Sequence, residues 1–283
     1  MARIAAFVVA YNSAAEIEKL VASLAVGVTD RHTVDVHVTD NGDDAAELAR
    51  LRAIPGLASV RSSGSNLGYG GGMNLLATEV GDGYDWYLIC NPDIRFGRGS
   101  IDALVDTALA HPEAALVGPR TFGIDKKPYP SARAFPSIRT GVGHAVFANV
   151  WPTNPWTRRY HRAALASTGE DTRVDWVSGA CILARPDAFD EVGGFDDQYF
   201  MYFEDVDLAW RLSKAGWTTM LAGDAMITHS GAHSTRAHSQ LMRRAHHDSA
   251  VRYLSKRYRG WHLAPVRAVL RLGLLIRSRV GRT

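Results

Sequence analysis

The feature that most constrains this chain is a repeated handover from an apolar, β-rich run to an amphipathic helical pattern. Residues 3–11 read RIAAFVVAY, and Ser13 then stands at the cap of a helix whose apolar positions are Ile17, Leu20, Val21 and Leu24. Residues 34–39 alternate with period two and give way to a helical stretch over 43–54. A short strand near 58–61 leads through Asn66 and a glycine cluster to a helix around 73–80. Trp86–Cys90 is the next strand and Ser100–Ala110 the next helix. This βαβαβαβα order predicts an α/β fold, a Rossmann-related and mostly parallel sheet flanked by helices. In such open sheets ligands bind beyond the carboxyl ends of the strands. Polar residues at those ends are therefore the first candidates for function.

The regular pattern lapses over residues 123–173, which are rich in Pro, Arg and aromatic residues and read as a long insertion over the sheet edge. It resumes with a strand over 174–184, a helix from Glu204, strands near 218–221 and up to 228, and a long helix over 239–258. The ordinary proportions of 46% hydrophobic and 22% charged residues exclude collagenous and disordered classes. Two cysteines, Cys90 and Cys181, each inside an apolar run, exclude a disulfide framework and a four-cysteine zinc site, and they suit a reducing compartment. No uncharged stretch approaches the ~18 residues of a membrane span, so the expectation is a cytoplasmic protein, soluble or peripheral.

The net charge of +3 conceals an asymmetry. From Ser249 onward there is no Asp or Glu, while nine Lys and Arg residues occur, which leaves the rest of the chain acidic. A basic end on an acidic body suits an anionic membrane surface better than nucleic acid here, and a packed or solvated helix is the plain alternative.

Two common phosphate loops are absent: no G-x-G-x-x-G follows the first strand, and there is no G-x-x-x-x-G-K-[ST]. Gly68, Gly70, Gly71 and Gly72 miss the dinucleotide spacing, yet glycines before a helix let backbone N–H groups approach an anion. Three acidic sites end strands or open a helix: Asp40-Asn41, Asp93, and Glu204-Asp205 after an aromatic run. Each alone reads as a turn former or helix cap. Their convergence on one crevice would be costly without a cation or substrate. Helical spacing puts Asp205 at the head of the apolar stripe Leu208, Ala209 and Leu212. It puts Glu204, Asp207, Arg211 and Lys214 on a solvated face, with Asp207 and Arg211 spaced for an i,i+4 pair. A desolvated Asp205 would be a base near neutrality; an N-cap is the alternative. Among eleven histidines, His229 ends a strand and could share a hard cation with Asp93. His229 and His233 on zinc is a weaker pattern, and His238, His246 and His247 read as a solvated helix face.

The ordered set Ala10-Tyr11-Asn12, Asp40-Asn41, Asn66-Leu67-Gly68-Tyr69-Gly70, Asn91-Pro92-Asp93, Val192-Gly193-Gly194-Phe195-Asp196, Phe203-Glu204-Asp205-Val206-Asp207-Leu208 and His229 resembles family 2 glycosyltransferases of GT-A fold. The likeness spans residues 3–235, followed by a basic helical extension over 236–283. Residues 1–98 would form the nucleotide-sugar half and 99–235 the acceptor half. The stretches 129–133 and 151–157 are similar to the mycobacterial-type rhamnosyltransferase branch. The resemblance implies that Ala10, Tyr11, Asn12, Asp40 and Asn41 hold the nucleotide, with Asn66, Gly68, Gly70 and Asn91 under the nucleotide sugar. It implies that Asp93 and His229 bind Mg2+ or Mn2+, and that Asp205 is the general base with Glu204 beside it. The element Asn91-Pro92-Asp93 lacks one carboxylate of the family's D-x-D, so the diphosphate would supply several metal ligands. The implied reaction is inverting transfer of L-rhamnose from dTDP-L-rhamnose to a polyprenyl-diphosphate-linked N-acetylglucosamine, at the inner face of the plasma membrane. Another donor such as a UDP-hexose, or a dead carbohydrate- or lipid-binding module, remain the alternatives.

Overall fold

The computed structural model describes residues 1–137, 169–231, 239–265 and 268. The first stretch comprises β1 (Ala2–Ala10), α1 (Ala14–Gly27), β2 (His32–Asp40), α2 (Ala45–Arg52), β3 (Leu57–Ser62), α3 (Gly68–Val80), β4 (Trp86–Cys90), β5 (Ile94–Phe96), α4 (Ser100–Ala110), β6 (Ala114–Phe122), β7 (Pro128–Tyr129) and β8 (Ala132–Arg133). Then follow β9 (Thr172–Val174), β10 (Trp176–Val177), β11 (Cys181–Ala184), α5 (Pro186–Glu191), α6 (Glu204–Ala215), β12 (Thr218–His229) and α7 (Ser239–Arg257).

The main sheet runs β3-β2-β1-β4-β11-β6-β12-β5. Its first four strands are parallel, as are β6 and β12, whereas β11 lies antiparallel between β4 and β6. The sheet is therefore mixed, with its parallel half in the segment where strand and helix alternate. Strand β1 is apolar from Ile4 to Ala10 because both of its faces are covered there. Ile4, Ala6 and Val8 join Ile17, Leu20 and Leu24 of α1 and Ile101, Leu104 and Val105 of α4. Ala5 and Phe7 face Met73 and Leu76 of α3 and Leu208 and Leu212 of α6.

Several local expectations are corrected. Helix α3 begins at Gly68 rather than near 73, because the glycines are its first turn. The strand expected over 174–184 is three short pieces, and the two strands expected after 218 are one, β12, with a register shift between Ala222 and Met226. Ser13 occupies the N-cap of α1, but its hydroxyl accepts from the Tyr11 N–H while Glu47 takes the Ala14 N–H. Cys90 and Cys181 pair directly across β4 and β11, both reduced and buried, and burial pushes the Cys90 thiol up to about 12. They are core residues. Among the described residues no helix is long and apolar enough to cross a membrane. Residues 151–157, His233, His238 and most of the tail beyond 262 lie outside the described residues.

Candidate active site

Strands β1, β2 and β4 are parallel neighbours, so Ala10, Asp40 and Asn91 emerge at one edge of the sheet. Asp40 is fully buried; its Oδ1 accepts from the Gly42 N–H at 3.0 Å, and its backbone carbonyl accepts from Ser63 N–H and Oγ. Burial raises its carboxyl above the ordinary range. Asn12 beside it adopts a left-handed φ of 52°. Tyr11 is exposed at the same edge.

The next loop is tied to this edge by side-chain amides. Asn41 Nδ2 donates to the Gly68 carbonyl at 2.8 Å, and Asn66 Oδ1 accepts from the Gly68 N–H at 3.0 Å. Gly68 has φ +72°, and a Cβ there would lie 2.2 Å from the Phe200 carbonyl oxygen. That oxygen accepts from the Tyr69 N–H at 3.1 Å. Only glycine allows this approach. A Cβ on Gly70 would similarly meet Phe195 at 2.8 Å.

From Tyr69 a short relay reaches the acidic pair. The Tyr69 hydroxyl donates to the Gly179 carbonyl at 2.5 Å, and the Gly179 N–H donates to Asp205 Oδ2 at 2.8 Å. Asp205 Oδ1 accepts from the Val206 N–H at 2.8 Å. Gly179 sits in the turn before β11, and no motif in the sequence singled it out; the small-residue run Ser178-Gly179-Ala180 was the available signal. The N-cap position of α6 belongs to Phe203, not to Asp205. Tyr202 and Phe203 enter that helix with φ of 67° and 66°, a costly backbone for two consecutive aromatic residues and one that clusters at functional sites.

Asp205 is half-buried, and burial raises its carboxyl despite the two N–H donors. Glu204 is buried, its Oε2 has no hydrogen-bond partner, and burial together with the Asp205 charge pushes its carboxyl up to about 8. The helical wheel placed Glu204 and Asp207 on a solvated face. Asp207 is in fact fully buried, 2.7 Å from Arg211 Nε and 2.8 Å from Lys256 Nζ. The i,i+4 pair exists, but as a buried one covered by α7. His246 on α7 is exposed, as its helical pattern predicts, and its ring also meets Tyr202 and Phe203 edge-on at 5.4 Å.

Asp93 and His229 meet from different strands. Registration of β12 on β5 brings His229 Nε2 to 3.0 Å from Asp93 Oδ1, and Ser230 Oγ lies 3.3 Å from Asp93 Oδ2. Asn91 Nδ2 is 3.4 Å from the same imidazole nitrogen. Burial pushes Asp93 up, but the His229 and Ser230 contacts outweigh it and hold the carboxyl below its usual range. One carboxylate and one imidazole are an incomplete ligand set: among the described residues no three His, Cys, Asp or Glu side chains cluster to hold a metal. The pair fits a cation that takes its remaining ligands from phosphate oxygens and water.

A mixed sheet flanked by helices, with acidic and asparagine-rich loops at the strand ends, is the GT-A glycosyltransferase architecture. The solved structure of a Pyrobaculum calidifontis mannosyltransferase in complex with GDP-Man and Mn2+ superposes with a TM-score of 0.64 at 14% identity, covering 100% of this chain and 76% of that one. The family model described as glycosyltransferase like family 2 matches residues 2–247. The chain belongs to that family and is a glycosyltransferase. It is 40% identical over 280 residues to an N-acetylglucosaminyl-diphospho-decaprenol L-rhamnosyltransferase of Mycobacterium tuberculosis, covering 95% of this chain and 90% of the relative. It is also 40% identical over 87 residues to the rhamnosyltransferase WbbL of Escherichia coli K12, covering 31% of this chain and 33% of that protein.

Proposed function

We propose that this glycosyltransferase moves L-rhamnose from dTDP-L-rhamnose to a polyprenyl-diphosphate-linked N-acetylglucosamine, with inversion at the anomeric carbon. The observation that carries the reading is the 40% identity to the mycobacterial rhamnosyltransferase across nearly the full length of both chains. Asp40, beside Asn12 and Gly42, receives the nucleotide base, and the α3 entry at Asn66, Gly68 and Gly70 lies under the nucleotide sugar. Asp205 takes the proton of the acceptor hydroxyl as that oxygen bonds to the anomeric carbon and the bond to the departing dTDP breaks. Its elevated pKa suits that step, and the Gly179 N–H fixes its orientation. The Glu204 carboxyl, whose Oε2 has no partner and whose pKa is pushed up to about 8, stays mostly neutral near pH 7 and avoids a second charge beside the base. Asp93 and His229 would hold Mg2+ or Mn2+, which neutralises charge on the leaving diphosphate when bound. The protein works at the inner membrane face, where such an acceptor resides, with its basic C-terminal tail on anionic lipid.

The test is transfer to a synthetic short-chain polyprenyl-diphosphate GlcNAc, read by mass spectrometry with a panel of nucleotide sugars. A product heavier by one deoxyhexose, formed with dTDP-L-rhamnose, supports the reading. Turnover only with a UDP-hexose reassigns the donor. Binding without turnover of any donor indicates a dead site.

A further inference from the structure

The loop at the entry of α3 and the segment that carries Asp205 meet at a single side chain. Tyr69 stands in the first turn of α3, between Gly68 and Gly70, and is half-buried. Its backbone N–H donates to the Phe200 carbonyl at 3.1 Å, and its ring meets that of Phe195 edge-on with centroids 6.1 Å apart. Its hydroxyl donates to the Gly179 carbonyl at 2.5 Å. Gly179 is wedged between this ring and Asp205. A Cβ placed on it would lie 3.4 Å from Asp205 Cβ and 3.6 Å from Tyr69 Cε1. The ends of the turn are anchored elsewhere: the Ser178 N–H donates to the Ser131 carbonyl at 2.7 Å, and the Ala180 carbonyl accepts from the Asn91 N–H at 2.9 Å. Its middle is a glycine, the residue with the freest backbone, and so can still rotate between those anchors. The bond from Tyr69 to the Gly179 carbonyl removes that freedom, and the Gly179 N–H is then fixed on Asp205 Oδ2 at 2.8 Å.

We propose that Tyr69 is a positioning residue for the base: its hydroxyl holds the Gly179 turn so that the Gly179 N–H aims the Asp205 carboxylate. The helix entry that lies under the donor thereby also aligns the group that deprotonates the acceptor. The assignment rests on the reading of Asp205 as the base. A hydrogen bond from an N–H favours the ionised form of a carboxylate, and here the Gly179 N–H draws the Asp205 carboxyl down against the rise caused by burial. The ionisable groups facing Asp205 are Glu204 beside it on α6, Arg133 on β8, whose charge also draws it down, and Tyr69 on α3. Of these influences, the one delivered through Gly179 depends on the Tyr69 hydroxyl. Phenylalanine at this position would keep the ring contact with Phe195 and the backbone bond to Phe200, and would leave the Gly179 carbonyl without its donor.

The experiment compares full-length wild type, Tyr69→Phe and Asp205→Asn in transfer from dTDP-L-rhamnose to farnesyl-diphospho-GlcNAc across a range of pH. A catalytic group misplaced by about 1 Å costs on the order of 10²-fold, and the anchors at Ser178 and Ala180 limit the displacement here, so Tyr69→Phe should lose about tenfold in kcat. Donor KM should stay close to the wild-type value, and the acid limb of the rate profile should move to higher pH as the carboxylate loses its donor. A second readout needs no turnover. With isotope-labelled aspartate carboxyls, the nuclear magnetic resonance signal missing from Asp205→Asn identifies Asp205, and its titration midpoint should be higher in Tyr69→Phe than in wild type. Tyr84→Phe is the control. It removes a half-buried hydroxyl that donates to Asp35 at 2.9 Å, at the opposite edge of the sheet, and should lower Tm without changing kcat or the Asp205 midpoint. If Tyr69→Phe melts early, all proteins are compared at a temperature where their circular dichroism is native. Wild-type kcat and an unmoved midpoint in Tyr69→Phe, with Asp205→Asn inactive, overturn the proposal and leave Asp205 as the base. A lowered Tm with those two quantities unchanged overturns it equally and makes the hydroxyl structural. Near wild-type turnover by Asp205→Asn removes the base itself, and the role of Tyr69 with it.

Discussion

Asp207 Oδ1 lies 2.8 Å from Lys256 Nζ, joining the helix that presents Asp205 to the C-terminal helix through a carboxylate fully removed from solvent. Arg211 completes the cluster with Nε on Asp207 and its two terminal nitrogens on the carbonyls of Val192 and Gly194. Removing one partner of a buried ion cluster leaves charge uncompensated, at a cost of roughly 3–5 kcal/mol. Asp207→Asn is therefore expected to lower Tm on the order of 10 °C. Thermal denaturation by circular dichroism measures it. A shift of a degree or two would mean that the cluster carries little stability.

Asp205→Asn keeps the shape of the side chain and its acceptor for the Gly179 N–H, but it cannot take a proton. A general base contributes about 10²–10⁴-fold, so kcat should fall by that order with donor affinity and Tm nearly unchanged. The exposed Glu18→Gln on α1 is the appropriate acidic control, since Asp207 is structural. Because burial raises the Asp205 carboxyl, the acid limb of the wild-type rate profile should lie above the ordinary value of 3.8. Near wild-type turnover by the variant would move the role of base elsewhere.

Glu204 has a stability signature of its own. Its carboxyl titrates near 8 in the folded chain against an ordinary value of 4.5, so the folded state holds the proton more tightly. A raised acid pKa costs stability as pH climbs from about 4.5 through about 8, where the folded chain must ionise a buried group. Glu204→Gln escapes this cost. The difference in Tm, variant minus wild type, should therefore grow between pH 5 and about pH 8 and level off above it. A difference independent of pH would place the Glu204 proton affinity at its ordinary value.

Gly68→Ala tests the contact between the α3 entry and the segment that leads into Glu204 and Asp205. The added methyl carbon falls 2.2 Å from the Phe200 carbonyl oxygen and the residue has a positive φ, so backbone must move. Nucleotide-sugar affinity, followed by the ligand-induced rise in Tm, should fall at least tenfold. Gly81→Ala, also at positive φ but with open space around it, should lose stability and keep the donor. If both behave alike, the Phe200 contact is unimportant for binding.

Chelation probes the Asp93–His229 pair. Activity should vanish in EDTA and return with Mg2+ or Mn2+, and His229→Ala should lose most of its activity while melting close to wild type. Full turnover by metal-free enzyme would leave that pair a structural contact.

Much of this protein was legible in its sequence because the deciding patterns are local. The run of β1 and the helices after it follow from hydrophobic periodicity, and Ser100–Ala110 is the same helix by pattern and by structure. That Asp40 and Asn91 share one edge follows from the parallel order those patterns impose. The chain alone could not place β11 antiparallel between β4 and β6, nor the Gly179 turn that it delivers to Asp205. Strand direction there depends on contacts over roughly ninety residues, which no window of sequence contains. The helical wheel gave the right spacing for Asp207 and Arg211 and the wrong environment, since a wheel reports which residues share a face and not what covers it. Tertiary structure decided that. Docking of α7 turned a face that reads as solvated into a buried ion cluster, and registry of β12 on β5 brought His229 to Asp93 from 136 positions away. Periodicity specifies the elements, and burial, which is a property of their assembly, specifies what their polar residues can do.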